Sequence, residues 1–133
     1  MALSSDKVLQ VELVAADRLV WSGEAKVVNA RTAGGEIGIL ANHMPILSLL
    51  AAGVVEVETP DGESWVAAVD EGFLSVAGNR VSILASHAEM AADIDADQAR
   101  RELDEAKGEG DDGHHGAEVR RLEARLQAAE RAS

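Results

Sequence analysis

One acid, one histidine and three glycines stand close together in Gly34-Gly35-Glu36-Ile37-Gly38-Ile39-Leu40-Ala41-Asn42-His43-Met44-Pro45-Ile46-Leu47. A carboxylate beside an imidazole can move a proton near neutral pH, so Glu36 and His43 are the first candidates for acid–base chemistry. They could do that work only if the fold brought both to one cleft. The same residues also read as a contact loop. Glycine supplies backbone angles that other residues avoid and lets a second chain approach closely, and a run of this kind is a strand interrupted by tight turns.

Other chemistries are easier to set aside. Ala33-Gly34-Gly35-Glu36-Ile37-Gly38 does not end in Gly-Lys-Ser/Thr and lacks the Gly-x-Gly-x-x-Gly spacing, so it is not a phosphate-cradling loop. His43 and His87 are far apart and neither belongs to a ligand pair. His114 and His115 adjoin Asp111 and Asp112, but in a glycine-rich stretch that gives ligands no support; a solvated loop is the expectation, and no metal site is assigned. No serine lies in a nucleophile elbow, and there are no cysteines. No catalytic residue is assigned. Arg120, Arg121 and Arg125 form a basic stripe near the C-terminus. In an acidic chain this is either a contact for an acidic partner or a solvated helix face with Glu118 as neighbour.

The elements that must position these groups change character near His87. The 133 residues fit one ordinary domain or a small domain with an appendage. Before His87, apolar residues alternate: Leu9, Val11 and Leu13 share one face, and Val55 and Val57 alternate with Glu56 and Glu58. Thr59-Pro60-Asp61-Gly62-Glu63 and Ala77-Gly78-Asn79-Arg80 are hairpin turns, and Asp70-Glu71-Gly72 is a tight bend. About nine short strands at this spacing predict a sandwich or barrel, with Pro45 to Ala52 read as strand.

After Asp93 the period becomes helical. Asp95 reads as an N-cap with Gln98 three residues on, and Ala99, Leu103 and Ala106 recur at helical steps. Gly108 to Gly116 is the break. Val119, Leu122, Leu126 and Ala129 form the stripe of a second helix. The expectation is an all-β N-terminal sandwich over residues 1–88 followed by a helical hairpin over residues 89–133. With so few large apolar residues the hairpin must lean on the sandwich or on another protein.

Acids outnumber bases 24 to 12, and the net charge of −12 is shared evenly between the two parts. Such a chain repels phosphate backbones and anionic lipid, so neither nucleic-acid binding nor direct lipid insertion is expected. The N-terminal residues carry no secretory pattern and no apolar run reaches membrane-span length, which predicts a soluble, cytoplasmic chain.

Four stretches, in this order, resemble the ε subunit of bacterial F-type ATP synthase across essentially the whole chain. They are Leu13-Val14-Ala15-Ala16-Asp17-Arg18-Leu19-Val20-Trp21-Ser22-Gly23-Glu24-Ala25; Glu36-Ile37-Gly38-Ile39 leading to His43-Met44-Pro45-Ile46-Leu47; Gly72-Phe73-Leu74-Ser75-Val76; and Asn79-Arg80-Val81-Ser82-Ile83-Leu84-Ala85. The resemblance implies a sandwich of about ten strands and a C-terminal hairpin. It implies a non-catalytic rotor subunit, peripheral on the cytoplasmic face of the membrane, that links the γ subunit to the c-ring and restrains ATP hydrolysis through the hairpin.

By position, Glu36, Ile37, Gly38, His43 and Pro45 would lie at the c-ring and γ interface. Arg120, Arg121 and Arg125 would meet the α/β catalytic head. The sequence departs from the family pattern twice. Ala41-Asn42 replaces Pro-Gly before the histidine; Asn is the usual second choice for a left-handed backbone, so the turn is expected to persist. Ile94-Asp95-Ala96-Asp97-Gln98-Ala99 keeps Ile94, Asp95 and Ala99 of an ATP-binding motif but has Gln98 in place of its arginine. A neutral amide cannot make a bidentate, charged phosphate contact, so no regulatory ATP or other cofactor is expected. The alternative is a free-standing β-sandwich interaction module whose hairpin binds some other partner.

Overall fold

In the computed structural model, which describes residues 8–108 and 115–132, ten strands precede two helices. The strands are β1 (Leu9–Ala15), β2 (Arg18–Ala25), β3 (Val27–Thr32), β4 (Gly35–Leu40), β5 (Ile46–Leu50), β6 (Gly53–Glu58), β7 (Ser64–Val69), β8 (Gly72–Ala77), β9 (Arg80–Ala85) and β10 (Ala88–Met90). A 3₁₀ turn over Ala91–Asp93 leads to α1 (Ala96–Gly108), and α2 spans His115–Ala132.

The strand order is β10-β7-β6-β3-β5-β8-β9-β1-β2, with β4 paired to β3 on its own. Strand β3 joins the two layers. Val27 to Asn29 pair with β6, whereas Thr32 pairs with Leu50 of β5. All pairings are antiparallel except β1 with β9. Hairpins give neighbouring strands opposite directions for a short loop; β1 reaches β9 from far off in sequence and is free to run parallel.

Period-two alternation sets the core. Leu9, Val11 and Leu13 of β1 face Val81 and Ile83 of β9, Leu74 and Val76 of β8, and Val55 and Val57 of β6, all at most 2% exposed. Among the described residues no polar or charged residue is fully buried, so this core is sealed by apolar packing alone. The turns match their sequences. Gly62 has φ 88° in the β6–β7 loop, and Gly78 (57°) and Asn79 (63°) form the two-residue turn of the β8–β9 hairpin. Two consecutive residues with positive φ are what a type I′ turn demands, and its twist suits the flanking strands.

The hairpin lies on the outer face of β6 and β7. Val66 and Ala68 point outward there and pack with Ala91, Ile94, Ala99, Ala128 and Ala129. Strand β7 is therefore covered on both sides, which is why Val66-Ala67-Ala68-Val69 is a continuous apolar run. The second helix is longer than its glycine-rich approach implies: it spans 18 residues and takes in Gly116. The expected stripe packs, divided between two contacts, and Ala124 and Ala128 are buried beside it. Val119, Leu122 and Leu126 pack with Leu103 and Ala106 of α1, while Ala128 and Ala129, with Leu126 beside them, face the sheet. Small residues let a helix approach a flat sheet closely, and alanines make most of the face on β7.

The bend at Gly72 permits one contact that no other residue allows. A Cβ there would lie 1.9 Å from the Leu84 carbonyl oxygen and 2.8 Å from Ala85 Cα, both backbone atoms of β9. Gly72→Ala is expected to lower stability by about 3 kcal/mol, the upper end for overpacking, since a strand must shift to relieve the clash. Urea unfolding of the variant checks this; an unchanged midpoint contradicts it.

Candidate functional site

Glu36 and His43 do not form a couple. Glu36 is near the start of β4, exposed and opposite Arg31 of β3; His43 follows the far end of the same strand. The four strand steps from Glu36 to Leu40 alone span roughly 13 Å. The His43 ring nitrogen Nδ1 lies 2.7 Å from the Met44 carbonyl oxygen. A carbonyl only accepts, so Nδ1 carries the hydrogen and the ring is held against its own backbone. The two side chains are held too far apart to share a proton.

The same segment is instead a shaped surface. The His43 amide donates to the Leu40 carbonyl at 3.1 Å and closes a turn over Ala41 and Asn42. Asn42 has φ 69°, the left-handed backbone for which Asn is the usual substitute for Gly. The turn expected for Ala41-Asn42 is thus made. It leaves Leu40 56%, Met44 75% and Leu47 74% exposed around the half-buried His43 and the exposed Pro45. Ile37 is half-buried and packs on the core, while Gly38 is exposed.

A larger feature was not singled out in the sequence. Leu49 pairs with Phe73, Phe73 with Leu84, Leu84 with Val14, and Val14 with Leu19. Direct cross-strand partners share a face, so these five residues form one apolar row across β5, β8, β9, β1 and β2. Leu49, Phe73, Leu84 and Leu19 are each at least 50% exposed, and Val14 is half-buried. Leu47 lies two positions along β5 from Leu49, on the same face, and connects the row to the turn at Asn42. The signal was present in Ile46-Leu47-Ser48-Leu49-Leu50, where both faces of a strand are apolar.

The three arginines divide between two sites, with Arg121 and Arg125 sharing the groove between the helices. Arg120 lines a cleft of about 330 Å³ between α2 and the sandwich, with Arg31, Glu71, Glu123 and Gln127. Arg121 lines a smaller groove between the helices, with Glu102, Glu105 and Glu118. Arg125 is only 18% exposed and forks two ways. Its Nε donates to Glu89 Oε1 of β10 at 2.7 Å and its Nη1 to Glu102 Oε1 of α1 at 2.9 Å. Partial burial pushes the guanidinium pKa down, but the Glu89 hydrogen bond and charge, followed by those of Glu102, outweigh it and leave Arg125 above its usual value. Two acids on other elements, Glu89 of β10 and Glu102 of α1, are thus its partners. Arg131 with Glu56 of β6, and Arg100 with Glu130 at 3.0 Å, add further ties.

The residues of the nucleotide-motif remnant have local structural roles. Asp95 Oδ1 accepts from the amides of Asp97 at 3.0 Å and Gln98 at 3.1 Å, capping α1. Ile94 and Ala99 are buried where the hairpin packs on β7, and Gln98 is exposed. Asp111, Asp112 and His114 lie outside the described residues, as does the His115 side chain. Among the described residues no three His, Asp or Glu side chains are grouped to hold a metal, and no helix is long and apolar enough to cross a membrane.

Comparison with known proteins agrees with this architecture. Residues 8–91 match the family described as ATP synthase, Delta/Epsilon chain, beta-sandwich domain. The ATP synthase epsilon chain of Streptomyces avermitilis is 53% identical over 120 residues, covering 90% of this chain and 94% of that protein. The epsilon chain of Nocardia farcinica is 40% identical over 131 residues, covering 98% and 96%.

Among solved structures, a chain in the cryo-EM structure of Euglena gracilis mitochondrial ATP synthase (OSCP/F1/c-ring) matches with a TM-score of 0.76. It is 24% identical, over 95% of this chain and 81% of that one. A chain of the Tetrahymena thermophila mitochondrial ATP synthase central stalk and c-ring matches at 0.60 and 15% identity, over 93% and 95%. At those identities the likeness is one of fold. With the matched sandwich and the closely similar bacterial relatives, the chain belongs to the ATP synthase ε-chain family.

Proposed function

We propose that this chain is a non-catalytic subunit of the central rotor of an F-type ATP synthase, joining the γ subunit to the c-ring at the cytoplasmic face of the membrane. The observation that carries the reading is the bare apolar row. Strand β7 is apolar on both faces and is covered twice. Strands β5, β8 and β9 also carry apolar residues on both faces, yet only one face is covered. A large side chain contributes about 1.5–3 kcal/mol when fully buried, so a row left open in the isolated chain is a surface prepared for a partner. In this family that partner is the γ subunit, and the row runs directly into the turn before His43.

On this reading Glu36, Ile37, Gly38, His43 and Pro45 form the end of the sandwich that meets the c-ring and the foot of γ. The hairpin would regulate ATP hydrolysis by leaving the sandwich for the α/β catalytic head. Arg120 and Arg121 would then meet the head, and Arg125 would follow after it releases Glu89 and Glu102. With Gln98 in place of the motif arginine and Asp95 engaged as a cap, the reading gives ATP no regulatory part.

Three outcomes are expected. Phe73→Glu should keep the fold, with a change in stability within about 0.5 kcal/mol. The same change should weaken binding to purified γ at least ~30-fold, as for a central interface residue. Titration calorimetry and pull-down with γ and the ring test this, and absence of any association of the unmodified chain would end the reading. Arg125→Ala should weaken the hairpin's attachment by about 2 kcal/mol, since hydrogen bonds to charged groups are lost. Amide exchange should then quicken in α2 while β1, β8 and β9 stay protected. Finally, a chain ending after Ala92 should remain a folded sandwich that still binds γ. It should raise ATP hydrolysis by the assembled enzyme, which a coupled ATPase assay measures; an unchanged rate would remove the regulatory part of the proposal.

A further inference from the structure

The turn before His43 is held by a residue far away in sequence. In a turn closed by the His43 amide on the Leu40 carbonyl, the third residue is Asn42, with φ 69°. Ala41 is not among the residues with positive φ, so the turn is of type II. The amide of the third residue takes no part in that turn's own hydrogen bond. Here it donates to Asn79 Oδ1 at 2.5 Å. Asn79 sits at the tip of the β8–β9 hairpin, and its carbonyl accepts the amide of Gln10 at 2.8 Å. One half-buried residue therefore ties together the start of β1, the β8–β9 turn and the β4–β5 turn.

The hairpin alone does not require this side chain. At φ 63° glycine would serve as well as asparagine. What asparagine adds is an acceptor, and that acceptor is used on Asn42. Beyond the turn stand Met44 and Leu47, the two most exposed large apolar side chains of the described residues at 75% and 74%.

We propose that Asn79 is the positioning residue of the partner-facing turn: its side-chain oxygen fixes the Asn42 amide and so sets the direction in which Met44 and Leu47 are presented to the rotor. The docking consequence rests on the rotor reading given above; the clamp itself belongs to the isolated chain. Without the acceptor the turn samples more orientations, and binding must then pay to order it.

Three variants separate the clamp from general stability. Asn79→Gly keeps the positive φ and removes the acceptor. Asn79→Asp keeps an acceptor, and Asn42→Gly keeps both the donor and the positive φ. Amide exchange in the free chain should be several-fold faster at residues 42–44 in Asn79→Gly, with β8, β9 and the melting temperature unchanged. Asn79→Asp and Asn42→Gly should exchange as the unmodified chain does. Affinity for a purified γ–c-ring subcomplex should fall about three- to tenfold in Asn79→Gly alone, the loss expected for one ordering contact. Unchanged exchange at Asn42 in Asn79→Gly, or equal loosening in Asn79→Asp, overturns the clamp. Looser exchange with undiminished affinity overturns its role in docking. If the unmodified chain fails to bind the subcomplex, the rotor reading falls, and the exchange data still decide the clamp.

Discussion

A strand that is apolar on both faces has to be covered twice, and this constraint organises the molecule. The sandwich covers each strand once by packing two layers around Leu9, Leu13, Val55, Leu74 and Ile83. The second face of β7 is covered by the chain itself, through the hairpin. The second face of β5, β8 and β9 is covered by none of the described residues. Fold and partner surface are thus two parts of one requirement, and the hairpin is the part that the chain meets internally.

The two covers differ in chemistry. Against β7 the hairpin offers Ala99, Ala128 and Ala129 with Ile94 and the partly buried Leu126, and ion pairs at the margin from Arg125 and Arg131. The open face offers Leu49, Phe73, Leu84 and Leu19. A face made mostly of alanines buries little area, so the attachment of the hairpin leans on charged hydrogen bonds that can be exchanged for others. Large aliphatic and aromatic side chains make a contact that is costly to undo. The first suits an element that moves and the second an element that stays docked.

The strands were legible because alternation and turn chemistry agree: Leu9, Val11 and Leu13 at period two, Asp61-Gly62 and Gly78-Asn79 at the tips, Asp95 at the helix start. The order of the motifs gave the family. What sequence could not give was which face each element covers. Val66-Ala67-Ala68-Val69 and Ile46-Leu47-Ser48-Leu49-Leu50 are both two-sided strands, yet one lies under α2 and the other lies open. The helix stripe of Val119, Leu122, Leu126 and Ala129 packs as expected, but the buried Ala124 and Ala128 were missed. Periodicity weights large residues, whereas contact with a flat sheet selects small ones. The partners of Arg125 come from β10 and α1, and no local spacing reports a contact between separate elements.

The alanine seam also sets how the hairpin responds to its surroundings. Heat-capacity change follows the apolar area exposed, and this seam exposes little, so its opening should vary only weakly with temperature. Ion pairs at its margin are screened as salt rises, with a Debye length of about 8 Å at physiological ionic strength and about 3 Å at 1 M. The hairpin is therefore an element governed by ionic strength more than by heat. The apolar row across β5, β8, β9, β1 and β2 has the opposite character: its burial should carry a large negative heat-capacity change and little dependence on salt.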